Sequence, residues 1–219
     1  NQETLASLEQ MTSGTYTSFL ERAQMNDAFN ATRRIGLSVG WHDKADVVRL
    51  DAGLFAAHSI DASFDNDGWI GSARAVYAPK LASGRLHVGV NFQHRDSQSN
   101  DNGVASNSVG SPSTNQLARY RARPFLQTTD VRFVDTGSFA AKGDTVLGLE
   151  LGGVFKSLHF AGEAQWTKVN AYRAGDIATG LDAFAGGSAV TPMGDPTFLG
   201  GYGEMGWFFT GETRGYKAG

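Results

Sequence analysis

Three alternating arginines, Arg119, Arg121 and Arg123, are the residues of this sequence best placed to do chemistry. In an extended segment they share one face, with neighbours about 6.6–6.8 Å apart. A guanidinium is planar, stays charged and makes two parallel charge-assisted bonds to an oxyanion. A row of such groups suits an anion that steps between several shallow sites. At an effective dielectric near 20 each adjacent pair repels by about 2–3 kcal/mol, and in bulk water by much less. The row therefore needs water or anions beside it. A lipid face is excluded, because arginine at mid-bilayer costs about 2–4 kcal/mol. An edge strand guarded by charge or an extracellular rim meets the same condition, and the three arginines alone fit those settings slightly better.

The elements that must position these residues read as strands. In Arg85 to Arg95, Leu86, Val88, Val90 and Phe92 alternate with His87, Gly89, Asn91 and Gln93. The same period-two pattern runs through Arg34 to Trp41, Ala45 to Ala57, Gly68 to Leu81, Thr145 to Val154, Leu158 to Val169 and Phe198 to Thr210. Period two means one apolar and one polar face. Asp51, Arg74, Glu150, Glu163, Tyr202 and Glu204 fall on the polar faces. The ordinary role of such acids is to pair with nearby arginines; tuning selectivity is a second role. Phe155-Lys156-Ser157 reads as a hairpin connection and Ala82-Ser83-Gly84 as a short turn, whereas 96–116 and 173–196 are long and polar. Leu5, Leu8 and Met11 stand at helical spacing, so the opening residues predict a short helix or a loop folded into a pore.

Composition agrees with strands. Of 219 residues, 28 are glycine, 5 proline and none cysteine, and 11% are aromatic. No run of 18 apolar residues occurs, so no transmembrane helix is available. A membrane-crossing strand needs only about 9–11 residues of mixed polarity. Long strands, alternately short and long connections, and aromatics such as Trp41, Trp69, Tyr77, Phe92, Trp166, Trp207 and Phe209 near strand ends predict an all-β fold, a transmembrane antiparallel β-barrel. A soluble β-sandwich is the blander reading. The formal net charge of −3 argues against a nucleic-acid partner, and the absence of cysteine removes thiolate chemistry. Asn1 to Gln10 has neither the basic start nor the apolar core of a signal peptide.

Two segments resemble the phosphate-selective O/P porin family. One is Thr17-Ser18-Phe19-Leu20-Glu21-Arg22-Ala23, with Ala28-Phe29 and Arg33-Arg34-Ile35-Gly36-Leu37 after it. The other is Gly201-Tyr202-Gly203-Glu204-Met205-Gly206-Trp207-Phe208-Phe209-Thr210-Gly211-Glu212, continued by Arg214 and Tyr216. Their order and spacing extend the resemblance over nearly the whole chain. The resemblance implies a porin in the outer membrane of a Gram-negative bacterium, in contact with lipid and lipopolysaccharide, forming a homotrimer of 16-stranded barrels. Residues 1–219 would be one barrel domain, with about eight to ten strands and others missing at both ends. The resemblance also implies an arginine ladder along the lumen, onto which Arg119, Arg121 and Arg123 map. Arg33, Arg34 and Arg132 are weaker candidates for that wall, and Arg74 joins them from the polar side of its strand. Passive diffusion of phosphate or related oxyanions follows, with no cofactor, no metal and no catalytic residue. Lysines number only 6, so the lysine funnel of the family has no visible counterpart.

Other motifs carry less. Gly201-x-Gly203-x-x-Gly206 matches a dinucleotide fingerprint in letters, but lies inside a strand instead of opening a helix. His94-Arg95-Asp96 lacks the rest of a kinase set. The five histidines show no metal-ligand spacing. A general or solute-specific porin whose arginines balance lumen acids is the runner-up; a barrel-embedded enzyme and a soluble carbohydrate-binding sandwich follow.

Overall fold

A computed structural model describes residues 3–31, 33–57, 68–97, 117–124, 128–137, 139–171 and 194–216. Seven long strands form its body: β1 (Gly36–His42), β2 (Val48–Ala56), β3 (Trp69–Tyr77), β5 (Gly84–Asp96), β9 (Phe139–Phe155), β10 (Leu158–Ala171) and β11 (Thr197–Trp207). They pair antiparallel in the order β1-β2-β3-β5-β9-β10-β11. The short β4 (Lys80–Leu81) joins β5 and β6 (Leu117–Ala118) joins β9, while β7 (Arg121–Ala122) pairs with β8 (Val134–Asp135). β1 and β11 are the two edges, so the sheet is open among the described residues.

The strands fall where the alternation predicts them, with two differences. The segment expected over 68–81 breaks after Tyr77, because Pro79 has no N–H to give the ladder. β9 starts at Phe139, earlier than the pattern from Thr145 indicates, and runs for 17 residues. The connection between β9 and β10 is the tight turn Lys156-Ser157, with Lys156 at φ 54°. Most of the long connections 96–116 and 173–196 lie outside the described residues.

Burial along the strands is the reverse of that in a soluble sheet. The apolar phase is exposed: Leu50 and Leu54 on β2, Val88, Val90 and Phe92 on β5, and Leu147, Leu149 and Leu151 on β9. The aromatics Trp41, Trp69, Tyr77, Trp166, Trp207 and Phe209 are exposed as well. The polar phase is buried: Asp51, Ser72, Arg74, His87, Asn91, Gln93, Glu150, Glu163, Gln165 and Thr167. From Leu147 to Phe155 the apolar phase covers eight steps, about 27 Å along the strand, or ~21 Å in height at a typical barrel tilt, close to the ~25 Å apolar band of such walls. No helix among the described residues is long and apolar enough to cross a membrane.

Two inserted segments cover the polar face. Residues 3–31 and 33–35 lead into β1 at Gly36, opposite Phe55, the end of the sheet where the longer connections lie. They carry α1 (Leu8–Met11), a 3-10 turn (Gly14–Tyr16) and α2 (Gln24–Phe29). The short helix predicted at the start is α1, and the segment also folds onto the polar face. Leu5 packs with Phe55 and Ile70, and Phe29 packs with Phe198 and Tyr120. A Cβ at Gly200 would stand 2.6 Å from the Phe29 ring, so this close approach of α2 to β11 requires glycine. Residues 117–124 and 128–136 belong to the second insert, whose Tyr120 joins Phe139, Ala141 and Val169.

The exposed apolar face yields a prediction. Leu149→Arg should destabilise the protein in lipid vesicles by about 2–4 kcal/mol, measured by urea unfolding, whereas Gln165→Leu on the opposite face should not show this dependence on lipid.

Candidate functional site on the covered polar face

Register places a polar row straight across the sheet. Asp51 faces Arg74, Arg74 faces Asn91, Asn91 faces Gly148 and Gly148 faces Gln165. Glycine leaves room in this row: a Cβ at Gly148 would stand 2.3 Å from the Asn91 amide. In the adjoining row Glu150 and Glu163 stand directly opposite each other on β9 and β10. Like charges so placed are destabilising unless each finds its own partners. Glu150 turns toward β5 and β3. It accepts from Arg74 Nε at 3.0 Å and Nη2 at 2.7 Å and from Asn91 Nδ2 at 2.8 Å, and His87 Nε2 lies 3.1 Å away. Glu163 turns the other way. It accepts from Ser7 Oγ at 3.0 Å, Leu8 N at 2.9 Å, Glu9 N at 2.8 Å and the Tyr202 hydroxyl at 2.7 Å.

The three alternating arginines lie on the second insert and not on a long strand. Tyr120 and Ala122 point to the buried side, while Arg119 and Arg121 are exposed on the other and Arg123 is half-buried. Arg119 donates to both oxygens of Asp135, at 2.8 and 2.5 Å. That guanidinium, with the Gly137 N–H, holds the Asp135 carboxyl well below the usual carboxylate range, so the acid stays charged and offsets Arg119. Arg123 Nε donates to Thr129 O at 2.9 Å, and its Nη2 is 3.6 Å from Asp130. Arg121 has no ion pair or hydrogen bond to its side chain among the described residues. Its charge instead adds to the field that lowers Asp135.

The remaining candidates are dispersed. Arg132 Nη1 stands 3.8 Å from Asp27 on α2, and Asp27 also accepts from the Arg123 N–H at 3.1 Å, which ties the two inserts together beside the arginines. Arg33 is exposed and pairs with Glu3 at 2.8 Å. Arg34 donates to Arg33 O at 3.1 Å. Arg74 is buried and occupied by Glu150, beneath the inserts. Of the four acids expected to pair with arginines, Asp51 does so with Arg49 at 2.8 Å and Glu150 with Arg74, whereas Glu163 binds the first insert and Glu204 accepts from Ser18 Oγ at 2.8 Å.

The sequence reading missed the anchors of the second insert. The Tyr120 hydroxyl donates to Asp144 at 2.5 Å, and Asp144 also pairs with Arg95. The signal for this floor was present: Phe55, Ile70, Val169 and Phe198 are apolar residues on the polar phase of their strands. Between the first insert and the wall lies a cavity of about 470 Å³ whose lining includes Leu8, Arg74, His87, His159, Tyr202 and Arg214. Gln93 Oε1, Thr167 Oγ1 and both ends of the Gln165 amide have no partner among the described residues, so this face still has hydrogen-bonding capacity to satisfy. Among the described residues no cluster of His, Asp and Glu could hold a metal ion. The Gly201-x-Gly203-x-x-Gly206 run lies within β11, as its strand context predicts, and a Cβ at Gly206 would meet the His159 ring at 2.3 Å.

An inverted sheet with arginines presented on segments folded over its polar face is an arrangement found in porins. Residues 1–219, the whole chain, match the family described as phosphate-selective porin O and P. The chain belongs to that family. An uncharacterized protein of Caulobacter vibrioides is 34% identical to it over 229 residues, a match covering 100% of this chain and 39% of that relative. The chain thus spans well under half the length of this curated relative. Its antiparallel, strand-rich fold is the one expected of an O/P porin.

The Glu150 cluster makes a prediction for this porin. Glu150→Ala leaves the Arg74 guanidinium buried without its partner and should cost about 3–5 kcal/mol. Glu150→Gln keeps an acceptor for Asn91 and should cost less. The urea midpoint of the folded, detergent-solubilised protein separates the two.

Proposed function

We propose that this chain is part of the conducting wall of an outer-membrane porin that passes anions, phosphate or related oxyanions, by passive diffusion. The observation that carries this reading is the pairing of an exposed apolar face with a covered polar one. The first face suits outer-membrane lipid and lipopolysaccharide, and the second suits a wet lumen. Family membership supports a homotrimer in the outer membrane of a Gram-negative bacterium, and a channel in place of an enzyme.

In this reading Arg119, Arg121 and Arg123 meet the permeating ion, with Arg132, Arg33 and Arg34 nearby and Arg74 behind them in the wall. An oxyanion exchanges part of its hydration for guanidinium donors, and sites of moderate depth let it leave again. Arg121 contributes most, since Arg119 already shares its charge with Asp135 and Arg123 lies near Asp130. Those acid partners favour one competing reading, a general porin whose arginines only balance lumen acids.

Zero-current potentials of the full-length protein in a bilayer under a potassium chloride gradient separate the two. The anion reading expects chloride preference, block of chloride current by added phosphate, and loss of most of that preference in the triple Arg119→Ala, Arg121→Ala, Arg123→Ala variant. Arg121→Ala should give the largest shift of the single variants. Weak selectivity that the triple variant leaves unchanged would establish the general porin.

A further inference from the structure

We infer that Glu163 is a clamp that holds the first insert against the wall, and that this contact sets the width of the conducting path. The inference deepens the porin reading, on which its consequence for current rests. Four donors converge on one carboxylate. Two are consecutive backbone N–H groups of the insert, Leu8 and Glu9, and a third is the Ser7 hydroxyl. The fourth, the Tyr202 hydroxyl, comes from the next strand and fixes the carboxylate from behind. Ser7 is itself tied into α1, since its Oγ accepts from Gln10 N at 3.1 Å. Glu163 is only 6% exposed, so its bonds face little competition from water.

Two features make this contact a clamp and not simply one more hydrogen bond. The backbone beside it is strained: Leu5 has φ 62° and Ser7 has φ 77°, values that L side chains adopt at a cost. Such conformations persist where surrounding contacts impose them, and here Glu163 and the Leu5 packing against Phe55 and Ile70 do so. The insert is also lightly packed behind its contact, because the cavity of about 470 Å³ lies between it and the wall. Loss of the carboxylate would therefore free the segment to move instead of leaving it seated on a solid core. Glu163 is a positioning residue: it acts on the ion only through the segment it holds.

The charge of Glu163 and its clamping role predict different results, which makes the test selective. If the carboxylate acted only as a lumen charge, Glu163→Gln would raise anion preference and leave the conductance and the insert unchanged. The clamp predicts that amide exchange at Leu8 and Glu9 becomes about tenfold faster or more, and that single-channel conductance rises and becomes noisy. This stretch has no cysteine of its own to compete with an introduced thiol pair. Position 152 is suited to it: a Cβ there fits at ordinary contact distance, 3.6 Å from Leu8 Cδ2. Leu8→Cys with Gly152→Cys, joined by a short bifunctional thiol reagent in the Glu163→Gln background, should return conductance and noise to the wild-type level. A residue needed only for wall integrity would not be rescued in this way.

Wild-type exchange at Leu8 and Glu9 in the Glu163→Gln variant would overturn the inference, as would faster exchange with unchanged conductance. Should Glu163→Gln fail to fold, Ser7→Ala and Tyr202→Phe each remove one donor and should produce the same changes to a smaller degree; wild-type exchange in both would equally overturn it. Exchange is read without current. A wild-type protein that conducts nothing while its variant loses protection would refute the porin reading and leave the clamp standing.

Discussion

The structure depends on how two acids placed side by side are kept apart. Glu150 and Glu163 face each other across neighbouring strands, with little water to screen them. Each is satisfied by turning away from the other, Glu150 into the wall and Glu163 out to the insert. The first choice fixes Arg74, His87 and Asn91 in the sheet. The second fixes a segment more than 150 residues away in sequence, since Ser7 and Glu163 are separated by 156 positions. A single electrostatic conflict thus organises both the wall and what lies against it.

The inverted sheet explains why the inserts exist. A strand pair whose apolar side looks outward leaves its other side rich in groups that require hydrogen bonds. The sheet supplies some of them itself, and glycines at 89 and 148 open the space in which Glu150 and Asn91 reach across strands. The inserts supply others through backbone N–H groups and hydroxyls. Their docking floor is apolar and sits at the end of the sheet where the longer connections lie, so polar and apolar contacts share the work of seating them.

Much of this was legible in the sequence. Period-two alternation located the seven long strands seen among the described residues and assigned the faces of Leu50, Val90, Glu163 and Tyr202 correctly. Of the three arginines that alternation puts on one face, Arg119 and Arg121 are exposed and Arg123 is half-buried, and no continuous strand carries them. What alternation cannot provide is partners across long separations. Nothing local in Asp135, Asp27 or Ser7 marks them as counterparts of Arg119, Arg132 and Glu163. The docking floor was readable in principle, because Phe55, Ile70, Val169 and Phe198 interrupt the polar phase; the arginines drew attention to charge and away from these interruptions.

The separation between Ser7 and Glu163 also imposes an order of assembly. Contacts between distant parts of a chain form late, since the entropy of closing the loop is met before the contact can reward it. The first insert precedes β10 and β11 in the chain, and these two strands, made last in this stretch, supply part of its seat. Until that hairpin pairs, residues 4–31 have no carboxylate to bind and no Gly200 surface to lie on. The sheet therefore pairs before the first insert is fully seated on it.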